Sequence, residues 1–159
     1  MKTLVAYYSR TGATRKAAEE IARRLGADIE EIIDAKPRGG VIGWLGAGKD
    51  ASLKRLTEIA PVCRGPAAYE LVVIGTPVWA FTMAPAVRTY ISRHGQAFKK
   101  VAFFCTMGGS GDKRTFRHMT GLTGSAPLAT LALIEKDIRE DQCGREIEGF
   151  AARLAGDGA

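Results

Sequence analysis

Three hydroxyl side chains and a glycine lie close together near the start of the sequence. The six residues SRTGAT occupy positions 9–14, between an apolar run and a helical pattern. Backbone N–H groups at the start of a helix are unpaired and favour an anion, and Ser9, Thr11 and Thr14 would add further donors. Gly12 has no Cβ and would let the backbone approach the anion closely. Because a helix cap would explain only one of the hydroxyls, the pattern predicts a phosphate site.

Two later segments carry residues suited to a planar ligand. The segment TPVWAFTMAP at 76–85 contains Trp79 and Phe81, and aromatic side chains in an exposed loop can stack on a flat ring. Trp79 could instead pack onto the protein itself or onto a partner in an oligomer. The segment TMGGSG at 106–111 presents backbone groups flanked by glycine. These groups could hydrogen-bond the edge of a heterocycle, or the segment could be a simple turn.

Alternating apolar runs and helical patterns must position these three segments. Strands are predicted at residues 3–9, 27–33, 70–75, 100–106 and 127–134, and helices up to Leu25 and at about 85–94, 112–119 and 140–155. Strands that are apolar throughout and joined by helices indicate a three-layer, doubly wound α/β fold. Right-handed crossovers favour a five-stranded parallel sheet in the order 2-1-3-4-5, whose ligands bind at the carboxyl ends of strands 1 and 3. The three loops should therefore converge at this edge.

The composition is typical of one globular domain spanning residues 1–159. The chain is 46% hydrophobic and 25% charged, and no apolar run is long enough to cross a membrane. The N-terminus lacks the apolar segment of a secretory signal, so we expect a cytoplasmic protein. Three cysteines without CxxC spacing argue against both a disulfide framework and a zinc site, and no metal site is predicted.

The charge balance bears on the choice of partner. The net charge is +6, from 23 basic and 17 acidic residues. The basic residues are interspersed with acids, and no basic stripe alternates with aromatic side chains, which argues against a nucleic-acid partner. A partner with an acidic surface fits this balance better.

The glycine-rich segment 34–60 interrupts the alternation of strands and helices. We expect it to run over the surface, with a short helix near 50–58. Its stretch GWLGAGKD at 43–50 approaches the P-loop pattern, but Asp50 stands where Ser or Thr is required, and no strand directly precedes Gly43. The sequence also contains no complete GxGxxG, so neither of these nucleotide-binding motifs is predicted.

Taken together, the three loops resemble those of the flavodoxin family. Residues 9–14 match the phosphate signature Ser/Thr-x-Thr-Gly-x-Thr, while GTPVWAFTMAPAVRTYI and CTMGGSG are similar to the second and third flavin loops. The similarity covers the whole chain in the short form of the family, and it implies noncovalently bound FMN. The cofactor-binding residues that it implies are Ser9, Arg10, Thr11, Gly12, Ala13 and Thr14 around the phosphate, Pro77, Val78, Trp79 and Ala80 along the ring, and Thr106, Met107, Gly108 and Gly109 opposite.

Three functions remain open at this point. The resemblance implies a redox protein that transfers electrons through FMN to a partner protein, here one with an acidic surface because the chain is basic. Alternatively, the chain could be an NAD(P)H-dependent FMN or quinone reductase. In either case the flavin carries the chemistry, and no catalytic nucleophile or acid–base pair stands out. A phosphate-binding receiver of similar topology would need an acidic cluster for Mg²⁺ at the ends of strands 1 and 3, and those loops contain none.

Overall fold

Strands and helices alternate along most of the described chain. The computed structural model describes residues 1–35 and 56–156. Its strands are β1 (Thr3–Tyr7), β2 (Asp28–Glu31), β3 (Leu71–Trp79), β4 (Thr82–Met83), β5 (Lys100–Met107) and β6 (Thr130–Ile134). Its helices are α1 (Ala13–Leu25), α2 (Pro85–His94), α3 (Asp112–Thr123), α4 (Glu135–Arg139) and α5 (Gly144–Gly156).

Five of these strands form one parallel sheet. Their order is β2-β1-β3-β5-β6, and the two-residue strand β4 pairs antiparallel with β3 outside this path. When β4 is set aside, this is the order 2-1-3-4-5 expected from the sequence. The predicted doubly wound fold is therefore confirmed.

The sheet has a hydrophobic core on each face, which makes three layers. Successive strand residues point to opposite faces, so the neighbouring side chains Phe103 and Phe104 enter different cores. Phe104 packs on the side of α1 and α5, together with Phe150. Phe103 packs on the side of α2, together with Tyr90. All four of these aromatic side chains are fully buried.

Strand β3 is longer than the sequence indicates. We predicted a strand at 70–75 followed by a loop, whereas Thr76, Pro77, Val78 and Trp79 continue the strand. Pairing with β5 extends to Pro77, and β4 pairs with the last two residues. Proline is tolerated because Gly75 directs its carbonyl toward Tyr8, so the nitrogen of Pro77 faces the same side, where β1 has already ended. No strand there requires the missing N–H.

Other boundaries also differ from the prediction. Helix α3 runs to Thr123 rather than 119, and it ends at Gly124, whose φ of 67° is the left-handed conformation that commonly closes helices. The expected closing helix at 140–155 starts only at Gly144, because the short helix α4 precedes it and Asp141 adopts a φ of 58° between the two.

The prediction for residues 34–60 lies largely outside the described residues, as does the P-loop-like stretch at 43–50. At the end of the segment, Thr57 and Ile59 are buried, contrary to the expected surface course. The Thr57 hydroxyl donates to Asp34 (3.1 Å), and Ile59 forms an isolated bridge with the same residue. The end of the segment is therefore attached to the fold.

Gly75 is required by close packing between β3 and β5. A Cβ atom at this position would lie 2.0 Å from Cζ of Phe104, its fully buried cross-strand neighbour. We expect Gly75→Ala to lower the free energy of unfolding by about 1–3 kcal/mol, as overpacked cores do. Urea unfolding monitored by circular dichroism measures this loss.

Gly65→Ala is the matched control, because a Cβ there meets no atom within 4 Å and φ is −66°. Equal unfolding midpoints for the two variants would contradict the packing argument.

Candidate functional site

The loop after β1 ends in a left-handed glycine. Gly12 has a φ of 97°, a conformation that side chains other than glycine rarely adopt, and it immediately precedes α1. The Ser9 hydroxyl accepts a hydrogen bond from the Gly12 N–H (3.1 Å), which closes the loop on itself. The backbone therefore turns sharply into the helix at the position predicted for the phosphate.

Helix α1 starts without a side-chain cap. Among the described residues, no side chain hydrogen-bonds the N–H groups of its first turn, and no acidic residue lies in that turn. The alternative that Ser9 or Thr11 only caps the helix is therefore wrong, because the Ser9 hydroxyl binds Gly12 outside it. Uncapped N–H groups and the positive end of the helix dipole are suited to an anion.

A hydroxyl pair joins the first loop segment to the third. The oxygens of Thr14 and Thr106 lie 2.8 Å apart, and both side chains are buried. Each hydroxyl carries one hydrogen, so one of the two donates to the other. If Thr106 donates, the Thr14 hydrogen remains available to a ligand beside the start of α1.

The β3–β4 hairpin contacts the first loop through Trp79. The Trp79 ring meets the Tyr8 ring edge-on at a centroid distance of 5.4 Å, and the Arg10 guanidinium lies 5.4 Å from the centroid of the Trp79 ring. Trp79 therefore packs partly onto the protein itself, which was the alternative to stacking on a ligand. Its ring is half-buried and keeps some accessible surface.

The third loop packs against the same hairpin. A Cβ on Gly111, whose φ is 106°, would lie 2.7 Å from Cγ1 of Val78 and 3.2 Å from Cδ1 of Phe81. Gly108 and Gly109 are exposed, whereas Met107 at the end of β5 is buried. The three segments that carry the predicted site residues are therefore brought together at the carboxyl edge of the sheet. Ala80 lies exposed at the tip of the hairpin.

A buried network that the sequence analysis did not include holds the hairpin in place. Arg88 of α2 donates a hydrogen bond to the Thr82 hydroxyl (3.0 Å), and that hydroxyl lies 2.7 Å from Nδ1 of His118 on α3. Because the guanidinium can only donate, the Thr82 hydrogen can point to His118, with Nδ1 as the acceptor. The pairing of Thr82 with Trp79 connects this network to the predicted site.

Arg88 is an unusual residue to find in this position. It is only 8% exposed, its Nε has no hydrogen-bond partner in the part of the chain that the structure describes, and burial lowers the pKa of its guanidinium. The sequence did contain a signal, because Ala84, Val87 and Ile91 lie at helical spacing around it and are buried. An arginine within such an apolar pattern indicates a buried charge.

The remaining chemistry of the described residues is limited. Within residues 1–35 and 56–156, no group of three or more His, Cys, Asp or Glu side chains could hold a metal ion. Burial raises the pKa of the Cys105 thiol to about 12, so this thiol near the third loop stays protonated. In the same part of the chain, no helix is both long and apolar enough to span a bilayer.

A separate cleft of about 430 Å³ lies between α1, α4 and the start of α5. Four of the charged residues at its wall pair with each other, Lys16 with Asp141 and Glu20 with Arg23. The carboxyl edge of the sheet presents an uncapped helix and three converging loops, so we assign the candidate site to that edge.

These features define a class of protein: a doubly wound α/β fold whose ligand edge lies where β1 and β3 diverge. A family model described as flavodoxin matches residues 2–149. The chain therefore belongs to the flavodoxin family, as its three loops suggested. No curated protein matches the sequence.

Several solved structures share the fold. A flavoprotein from Lactobacillus acidophilus NCFM, crystallised in complex with FMN, has 22% sequence identity and a TM-score of 0.69, over 87% of this chain and 97% of that chain. A flavoprotein from Bacteroides eggerthii has 27% identity and a TM-score of 0.70, over 87% and 94%. The two-electron reduced flavodoxin of Megasphaera elsdenii has 19% identity and a TM-score of 0.58, over 96% and 98%. These similarities confirm the flavodoxin-like fold.

The network around Thr82 should contribute to stability. Thr82→Val keeps the shape of the side chain but removes the one hydrogen bond that the buried Arg88 guanidinium makes within residues 1–35 and 56–156. An unsatisfied buried polar group costs about 1–3 kcal/mol, and more when it is charged. We therefore expect a loss of about 2 kcal/mol or more in the free energy of unfolding, measured with urea.

Thr130→Val, at an exposed strand position, serves as the control and should be nearly neutral. In an Arg88→Met background the effect of Thr82→Val should shrink, because no guanidinium is then left unpaired. An undiminished effect in that background would assign the loss to Thr82 alone.

Proposed function

We propose that this chain binds FMN noncovalently and transfers electrons through it to and from a redox partner protein. The observation that carries the proposal is the uncapped start of α1. A left-handed glycine, first-turn N–H groups that no described side chain caps, and the Thr14 hydroxyl converge there, and the first turn contains no acidic residue. Such a donor set suits a terminal phosphate dianion. The second and third loops converge beside this helix start and would border the flat ring of FMN.

Three sets of residues would hold the cofactor. The phosphate set is Ser9, Arg10, Thr11, Gly12, Ala13 and Thr14, the first ring set is Pro77, Val78, Trp79 and Ala80, and the second is Thr106, Met107, Gly108 and Gly109. When it is bound, FMN supplies the capacity to take up and release electrons. The protein binds the phosphate, orients the ring between the hairpin and the third loop, and limits the access of water to it.

The comparisons support FMN as the cofactor. The chain belongs to a flavin-binding family, and its relative from Lactobacillus acidophilus was crystallised with FMN. The fit of the uncapped helix to a phosphate comes from this chain and is independent of those relatives. That a single domain spans residues 1–159 and that the protein acts in the cytoplasm stay predictions from the sequence.

An NAD(P)H-dependent FMN or quinone reductase is the second candidate. It is favoured by the charges near the site, because residues 76–84 and 106–111 contain no Asp or Glu and the exposed Arg114 follows the third loop. Positive charge beside the flavin would attract the phosphates of a nicotinamide dinucleotide. The two candidates share the flavin site and differ in the molecule that exchanges electrons with it.

The phosphate site predicts a preference for FMN over riboflavin. A double variant Thr11→Val/Thr14→Val removes two possible donors to the phosphate, each worth about 1.5–3 kcal/mol when the acceptor is charged. We expect calorimetry to give at least about a tenfold loss in FMN affinity. Riboflavin has no phosphate, so its weaker binding should be unchanged.

Thr123→Val, at the far end of α3, controls for the loss of a hydroxyl elsewhere. Equal affinities of the wild-type protein for FMN and riboflavin would remove the basis of the phosphate assignment.

Anaerobic addition of NADH or NADPH separates the two candidate functions. For an electron-transfer protein, we expect the visible absorbance of bound FMN to stay unchanged for minutes and to bleach only when a partner reductase is added. Bleaching within seconds by the dinucleotide alone would instead identify the chain as a reductase. Free FMN under the same conditions is the control for direct reduction.

A further inference from the structure

The basic residues of the described chain differ in their partners from one helix to another. Four cations on α1 lie within 4.0 Å of a carboxylate: Arg15, Lys16, Arg23 and Arg24. The three exposed cations on α3 are Lys113, Arg114 and Arg117, and within residues 1–35 and 56–156 none of them forms an ion pair. We call these three residues the basic face. No carboxylate of the described residues neutralises its positive charge through an ion pair.

The basic face lies beside the β3–β4 hairpin. Residues four apart share one side of a helix, so Arg114 lies one turn from His118, which contacts Thr82 of β4. This turn is the one nearer the third loop, because α3 begins at Asp112 directly after it. The three cations cover about 100° of the helix circumference over little more than one turn. They form an exposed surface rather than a pocket.

An exposed aromatic side chain occupies the hairpin tip next to this face. Phe81 is 55% exposed and has a φ of 60°, and its neighbour Ala80 has a φ of 47°. Positive φ at residues other than glycine is strained and persists only where the surroundings impose it. Here Gly111, whose missing Cβ makes room for Val78 and Phe81, packs the tip against the start of α3. The tip thus presents an aromatic ring to solvent at a structural cost.

An exposed aromatic ring with exposed cations on the neighbouring helix is a composition found in protein interfaces. Exposed aromatic residues and arginines dominate the binding energy of protein interfaces. Cations that have no carboxylate partner among the described residues favour a binding partner that supplies carboxylates, and charge complementarity speeds association. Asp112, at the start of α3, is the single acidic residue among residues 112–117.

We propose that Phe81 and the basic face form the docking surface for a redox partner protein with an acidic contact surface. This proposal rests on the proposed function, since it names where the partner meets the flavin site. A one-electron carrier, such as an iron–sulfur protein, docks there and delivers its electron beside the hairpin. Two such carriers are each oxidised by one electron, and the flavin takes up both electrons, with protons from water.

The test uses an acidic plant-type [2Fe–2S] ferredoxin as the probe. The ferredoxin is reduced, freed of excess reductant and mixed anaerobically with the FMN-loaded protein, and the rate of flavin reduction is followed by stopped flow. The variant K113Q/R114Q/R117Q should lower the second-order rate constant about tenfold at low ionic strength. The difference should vanish at about 0.5 M salt, because screening removes the attraction. Phe81→Ala should slow the reaction at both salt concentrations.

A control variant distinguishes the effect of where the cations lie from the effect of the total net charge. R93Q/K99Q/K100Q removes three exposed cations near the opposite edge of the sheet, where β5 begins, and each triple variant lowers the net charge from +6 to +3. We expect this control to retain the wild-type rate within about twofold. Equal slowing by both triple variants, or no slowing by the first, would overturn the proposal.

Two further measurements distinguish failure of docking from failure of the proposed function. FMN titration of the wild-type protein tests the function alone. If FMN does not bind, the addition of oxidised ferredoxin to the ¹⁵N-labelled chain still tests docking, with amide shifts expected at Phe81 and residues 113–117. Shifts elsewhere, or none, contradict docking.

A raised KM for NADPH in K113Q/R114Q/R117Q with an unchanged ferredoxin rate would assign the cations to dinucleotide phosphates and refute the docking surface.

Discussion

The candidate site depends on strand β3 continuing past the end of β1. The last pair between these strands is Tyr7 with Gly75, and β3 then runs on to Trp79. Beyond Gly75 one side of β3 is free of β1, and the first loop turns there into α1. The crevice at the point of divergence is where doubly wound folds bind ligands. The longer β3 also carries the β3–β4 hairpin, so the positions of both the first loop and the hairpin derive from this difference in strand length.

The hairpin requires support because its conformation is unfavourable. A two-residue turn with positive φ at both positions usually contains Asn or Gly, and here it contains Ala80 and Phe81. Antiparallel pairing with β4, contact with Gly111 and the Thr82 network act together to hold it. The buried Arg88 is part of this support, although its guanidinium lacks a carboxylate within residues 1–35 and 56–156. Such a charge is costly to bury, which suits a residue that fixes a loop rather than one that stabilises the core.

The sequence predicted the layers, the sheet order and the three converging segments, because these follow from periodicity and from right-handed crossovers. It did not predict β4, since the residues at the turn lack the Asn-Gly or Asp-Gly signal. It ended β3 too early because Pro77 indicates a loop, and only the tertiary arrangement shows that no neighbouring strand requires its N–H. The roles assigned to the individual loop residues stay predictions. The Thr82 network could not be predicted, because it joins three elements that are distant in sequence.

The distribution of charge around the site separates two kinds of interaction. The predicted phosphate segment 9–14 contains no lysine, and its one arginine lies over the Trp79 ring. Its donors are therefore mainly backbone N–H groups and hydroxyls, which act over hydrogen-bond distances, so salt weakens them less than it weakens the attraction between exposed charges. The cations on α3, which form no ion pair within the described residues, exert an attraction that reaches about 10 Å at 0.1 M salt and weakens as salt increases. A phosphate ligand held by the first set would remain bound under conditions that release a charged partner from the second. This separation would allow the proposed partner to leave after each encounter without loss of the cofactor.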